Sequence, residues 1–177
     1  DRDPLPLPPA ATGAVVGDGF DDEKRALEWF AVEARNLIAV LDLTVRMGWD
    51  EPTFRLHTAM AHYLFRSGQW IEQDATGRAA VAAADRGGDR AVMSLARHHL
   101  ARACLQLGRH DEAETHLRQA LNITEAVDDD PTVRGELHHV LSWVLERQAR
   151  HDEAFLHANR ALELFQDNGL RTGQARA

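Results

Sequence analysis

Residues 101–123, ARACLQLGRHDEAETHLRQALNI, decide the fold. Large apolar residues (Leu100, Leu107, Leu117, Leu121) recur at helical spacing, and small ones (Ala103, Ala113, Ala120) fall where two helix axes come close. Gly108 sits where a first helix must stop. Asp111 and Glu112 open a second, where carboxylates favour the positive end of the helix dipole. The phrase returns at 145–164 as LERQARHDEAFLHANRALEL, with Ala149 in the place of Gly108. It occurs earlier, more divergent, at 64–83 as LFRSGQWIEQDATGRAAVAA. Gly68, Gly108 and Ala149 fall 40 and 41 residues apart. A fixed period of this size with one helical hairpin per unit predicts an all-α solenoid.

Composition narrows the function. The 177 residues are 44% hydrophobic, enough for a continuous core between stacked hairpins, and carry a net charge of −8. That balance argues against nucleic acid or an anionic membrane as a partner of the whole surface. The single cysteine, Cys104, excludes an intramolecular disulfide; on the apolar face of its helix it reads as a small buried hydrophobe. No apolar run approaches the ~20 residues of a membrane span, and the N-terminus lacks a signal-peptide pattern, so the expected location is the cytoplasm. Asn122-Ile123-Thr124 matches a glycosylation sequon, read here as chance.

Taken in order, residues 1–20 are rich in Pro and Gly and read as an extended linker, stiff through Pro4–Pro9. Residues 21–48 form a leading helical segment, capped by Asp21 or Asp22 and ended by Gly48. Its length suits two helices, or one bent near residues 34–36. Three hairpins fill 49–169: helices at about 51–66 and 70–85, 90–107 and 111–127, and 132–148 and 152–165. Gly87-Gly88 and residues 128–131 break the chain between them. Residues 170–177 look like the opening of a further, truncated helix, and both ends have the look of a fragment of a longer chain.

The hairpin phrase resembles the tetratricopeptide repeat. Gly108, Asp111, Glu112, Ala113, Ala120 and Leu121 carry the match, as do Asp152, Glu153, Ala154, Ala161 and Leu162 in the third unit. The first unit keeps Gly68, Trp70 and Ala80 but has Gln73 where a small residue belongs. The period exceeds the ~34 residues of the plain repeat, a form similar to the repeats of large bacterial signal-dependent regulators. The leading segment, RALEWFAVEARNLIAVLDLTVRMG after PLPLPP, resembles the entry to the repeat region in actinobacterial antibiotic-regulatory-type transcription factors. Ala26, Trp29, Phe30, Glu33, Arg35, Asn36 and Leu37 carry that resemblance. It implies a winged-helix DNA-binding region and a nucleotide-binding switch module upstream, with the repeats as a sensing or assembly arm. The chain itself has no G-x-x-x-x-G-K-[ST] sequence, so any ATP chemistry would lie outside it.

Two-layer repeats present the first helix of each hairpin on an inner face. In register, three rows recur there: Thr58, His98 and His139; His62, Arg102 and Trp143; Arg66, Gln106 and Arg147. Arg55 flanks them. Arg grips carboxylate or phosphate at two points, and Trp anchors an apolar group. The candidate binding residues are therefore Arg55, His62, Arg66, His98, Arg102, His139, Trp143 and Arg147. Their expected partner is a protein segment, another domain of the parent chain, or a small acidic or aromatic effector. The bland alternatives are interdomain packing, a homo-oligomer contact, or plain solvation. The Asn and Lys arrangement that clamps a peptide C-terminus is missing, since Ala59, His99 and Val140 occupy those inner positions. Glu136-x-x-His139 is one copy of a motif that di-iron proteins use twice, so no metal and no cofactor is expected. No nucleophile elbow or carboxylate pair stands out, and the chain reads as non-enzymatic.

Overall fold

In the computed structural model, residues 22–125 and 131–167 are described. The linker assigned to 1–20, the acidic break before Pro131 and the truncated helix assigned to 170–177 lie outside them. Among the described residues there are seven helices and no strand: α1 (Glu23–Arg46), α2 (Asp50–Arg66), α3 (Trp70–Gly87), α4 (Arg90–Gln106), α5 (His110–Glu125), α6 (Pro131–Arg147) and α7 (His151–Asp167). The hairpins are α2–α3, α4–α5 and α6–α7.

Local chemistry sets the boundaries. Asp22 caps α1, its carboxylate accepting from Arg25 N at 2.8 Å, and Asp89 caps α4 by accepting from Ala91 N at 2.9 Å. Pro131 occupies the first turn of α6, where its missing N–H costs nothing. The turns after α2 and α4 end on Gly68 and Gly108 in the left-handed region, φ 72° and 74°. Ala149 holds the same conformation at φ 59° despite its Cβ, because the hairpin geometry dictates it. The leading segment is one continuous helix rather than two. Ala34 is buried against α2, and the Asn36 amide donates to Glu33 Oε2 at 2.8 Å on its own helix, so neither residue opens a break.

The core runs lengthwise. Leu100, Cys104, Leu117, Leu121, Leu137 and Leu141 form its centre between the second and third hairpins, and Met60, Tyr63 and Leu64 of α2 pack on α1. Cys104 is fully buried, which pushes its thiol up to about 11. The backbones of α2 and α4, and of α4 and α6, approach one another closely, whereas α3, α5 and α7 make no comparable contact among themselves. The first helices of the hairpins therefore form the tighter, inner layer.

Candidate functional site

The inner layer brings some of the predicted residues together and separates others. At the N-terminal end, Arg66 and His62 reach back to α1: Arg66 Nη1 donates to Glu23 Oε1 at 2.7 Å, and His62 Nε2 lies 3.5 Å from the same oxygen. Arg55, on the same side of α2, donates through Nε to Glu51 Oε1 at 2.9 Å. It borders a separate cavity of about 360 Å³ floored by Phe54, Ala83, Ala84 and Val92. In the middle, the Arg102 guanidinium lies over the Phe65 ring, 3.8 Å from its centroid, a cation–π contact between neighbouring repeats. Toward the C-terminal end, Trp143 and Arg147 join Leu105, Gln106, His110 and Glu146 around a cavity of about 500 Å³. Trp143 is 47% exposed there, with Arg147 also in solvent.

His98 and His139 are placed differently from the solvated row expected of them. Each is only 3% exposed. The reason is the close approach of α2, α4 and α6, which covers the row nearest their midpoints and leaves the next two rows open. His98 packs near His99, ring centroids 5.9 Å apart, and His139 against Trp143 at 4.4 Å. Through that contact His139 supports the Trp143 ring from below. His151 is exposed and pairs with Glu146 at 3.0 Å, a hydrogen bond that raises its pKa.

Several groups were missed from sequence. His57 is fully buried, with Nδ1 3.1 Å from Thr76 Oγ1, and burial lowers its pKa to about 4. His138 Nδ1 and His157 Nδ1 meet at 2.8 Å across α6 and α7; burial, then the neighbouring His157, hold His138 at about 4. Such a pair carries one hydrogen between two nitrogens and resists double protonation. Among the described residues, no group of three or more His, Cys, Asp or Glu is arranged to hold a metal ion. Among them, too, no helix is long and apolar enough to cross a membrane.

The hairpin geometry and its register agree with comparison to known proteins. The profile described as tetratricopeptide repeat matches residues 52–126 and again 93–167. The chain belongs to the tetratricopeptide repeat family. Comparison with curated protein sequences gave no match. A solved structure, titled the crystal structure of the apo form of RapI, superposes with a TM-score of 0.64 at 13% identity, over 84% of this chain. The aligned part is 59% of that protein's length, so the likeness is one of fold. In this tetratricopeptide repeat protein, Phe65, Arg102, Trp143 and Arg147 all belong to the first helices of their hairpins.

Proposed function

We propose that this repeat array is a non-enzymatic protein-interaction or effector-sensing module of a bacterial transcriptional regulator, gripping a partner segment or ligand on its inner face. One observation carries the reading: an exposed Trp143 stands over a cavity of about 500 Å³ beside Arg147, one repeat from the Arg102 guanidinium on Phe65. An aromatic floor with guanidiniums around it suits a partner that presents a carboxylate next to an apolar or aromatic group. Occupancy would act by favouring one arrangement of the parent's switch module. The regulator context rests on the resemblance of the leading segment.

The test is a fluorescence-anisotropy titration with a panel of labelled peptides pairing Asp or Glu with Phe or Trp. Arg102→Ala with Trp143→Ala is expected to weaken binding at least about tenfold, the loss of roughly 1.4 kcal/mol, with unchanged helix content by circular dichroism. Equal binding by the double variant would remove the groove from consideration. A second reading, a structural arm that joins copies or domains without a ligand, is favoured by apolar residues left exposed on α1 and α7.

A further inference from the structure

The two junctions between hairpins share an ionic rim on the side of α3, α5 and α7. Arg109, in the turn before α5, pairs with Asp74 of α3, and one period later Arg150 Nη1 lies 2.7 Å from Glu114 Oε2 of α5. The junctions differ where α2 and α4 begin and α3 ends. There the first junction holds the cavity of about 360 Å³. Its floor is apolar: Phe54 of α2, with Ala83 and Ala84 of α3, is buried, and Val92 of α4 is half-buried beside them.

The repeat register shows what makes this space. Helices α2 and α4 start 40 residues apart, at Asp50 and Arg90, and so do α3 and α5, at Trp70 and His110. The α3 residues that line the cavity are Ala83, Ala84 and Gly87. One period on, the chain carries Ile123, Thr124 and Val127 at those positions, each of them larger. On the first helices Ser94 answers Phe54, which supplies the ring of the floor. A Cβ added at Gly87 would meet nothing within 4 Å, so the mouth is open as well as the floor. Close-packed interiors leave few voids larger than a water molecule, and three shorter residues in succession along one helix make this one.

The mouth is charged. Asp50, Glu51 and Asp89 line it together with Arg55. Arg55 Nε donates to Glu51 Oε1 at 2.9 Å, and Arg86 Nη2, at the end of α3, donates to Asp50 Oδ1 at 2.6 Å. Asp89 caps α4, and its bonds from Ala91 N and Val92 N both go to Oδ1. Three carboxylates therefore share the mouth with two guanidiniums, an arrangement that repels an anion and suits a cation.

We propose that this cavity is a binding site for a small amine, separate from the groove at Trp143. The apolar body of the ligand seats on Phe54, Ala83, Ala84 and Val92, and its ammonium group meets Asp50 and Asp89 at the mouth. The volume suits a molecule of one ring and a short chain. The site lies at the opening turns of α2 and α4, whereas Trp143 and Arg147 belong to the closing turns of α6.

Isothermal titration calorimetry of the full chain with phenethylamine tests this, with phenylacetate as the probe of like shape and opposite charge. The expected result is saturation by phenethylamine and at least about tenfold weaker binding of phenylacetate. Ala83→Ile gives α3 the residue that α5 carries in the same register. It is expected to abolish phenethylamine binding while the melting temperature holds or rises, because the new side chain fills existing space. Should that variant lose helix content, Gly87→Val obstructs the mouth instead. Trp143→Ala is expected to leave phenethylamine binding unchanged. Failure of phenethylamine to saturate, equal binding of the two probes, undiminished binding in the folded cavity variant, or loss of binding in Trp143→Ala would each overturn the proposal.

Discussion

The first and third hairpins fill the same layer of the core from opposite sides. In α2–α3 the large residue is Phe54 on the first helix, with Ala84 on the second in the same core cluster. Eighty-one residues on, α6 carries Gly135 and α7 supplies Phe165, which is 1% exposed. The middle hairpin holds Ser94 and Thr124 in that register, two small hydroxyl residues that are both fully buried. The first and third repeats thus fill the layer with one ring each, supplied from opposite helices, whereas the middle repeat fills it with two small residues. A large residue on one helix obliges a small one on the other, since a Cβ at Gly135 would stand 2.6 Å from Phe165 Cε1.

Three changes break or sharpen this comparison. Phe165→Ala should do most damage, lowering unfolding free energy in urea by about 3–5 kcal/mol, because it empties a site with nothing else to fill it. Phe54→Ala should cost less, since Phe54 already borders the cavity of about 360 Å³ and its neighbours can settle inward. Equal losses would mean the two sites are alike in rigidity. Next comes Gly135→Ala, expected at the upper end of about 1–3 kcal/mol because its new methyl group meets a ring that cannot withdraw. A melting temperature unchanged by that substitution would show that the Phe165 ring moves freely.

The buried histidines extend the comparison to pH. His57 in the first hairpin and His138 in the third are each held near 4, mainly by burial. A folded-state pKa depressed below the unfolded value of about 6.5 means the unfolded chain binds protons first. Stability is full above that value and is lost as pH falls through 6.5 toward 4. For His57 alone the loss between pH 7 and pH 5 should be about 2 kcal/mol. It is checked by urea melts at both pH values for wild type and His57→Asn; parallel shifts in the two proteins would refute it. The smallest change is a gain. Ala149→Gly should stabilise the third hairpin by about 0.5–1 kcal/mol, the relief of a left-handed alanine less the added freedom of the unfolded chain. A differential scanning trace shifted downward would contradict this.

Much of the fold was legible because hairpin structure is written in local chemistry. The turn at 108, the acids opening α5, and the 40-residue return of both needed only neighbours in sequence. The inner face was legible in part. Register alone put Arg102, Trp143 and Arg147 on one side of their helices, but burial of His98 and His139 depends on how closely separate helices approach. The His138–His157 pair joins residues 19 apart on two helices, so no single-helix pattern reveals it. The ionic rims did leave a trace: an acid at 74 and 114, then Arg at 109 and 150, nearly a full period apart. That trace is legible only once the period is used to compare charges as well as apolar residues.

The unequal spacing of the two layers also has a mechanical side. Helices α2, α4 and α6 touch in sequence, while α3, α5 and α7 reach one another through long charged side chains. Dissolved ions screen those charged links and leave apolar contacts untouched, so added salt loosens the α3–α5–α7 side more than the α2–α4–α6 side.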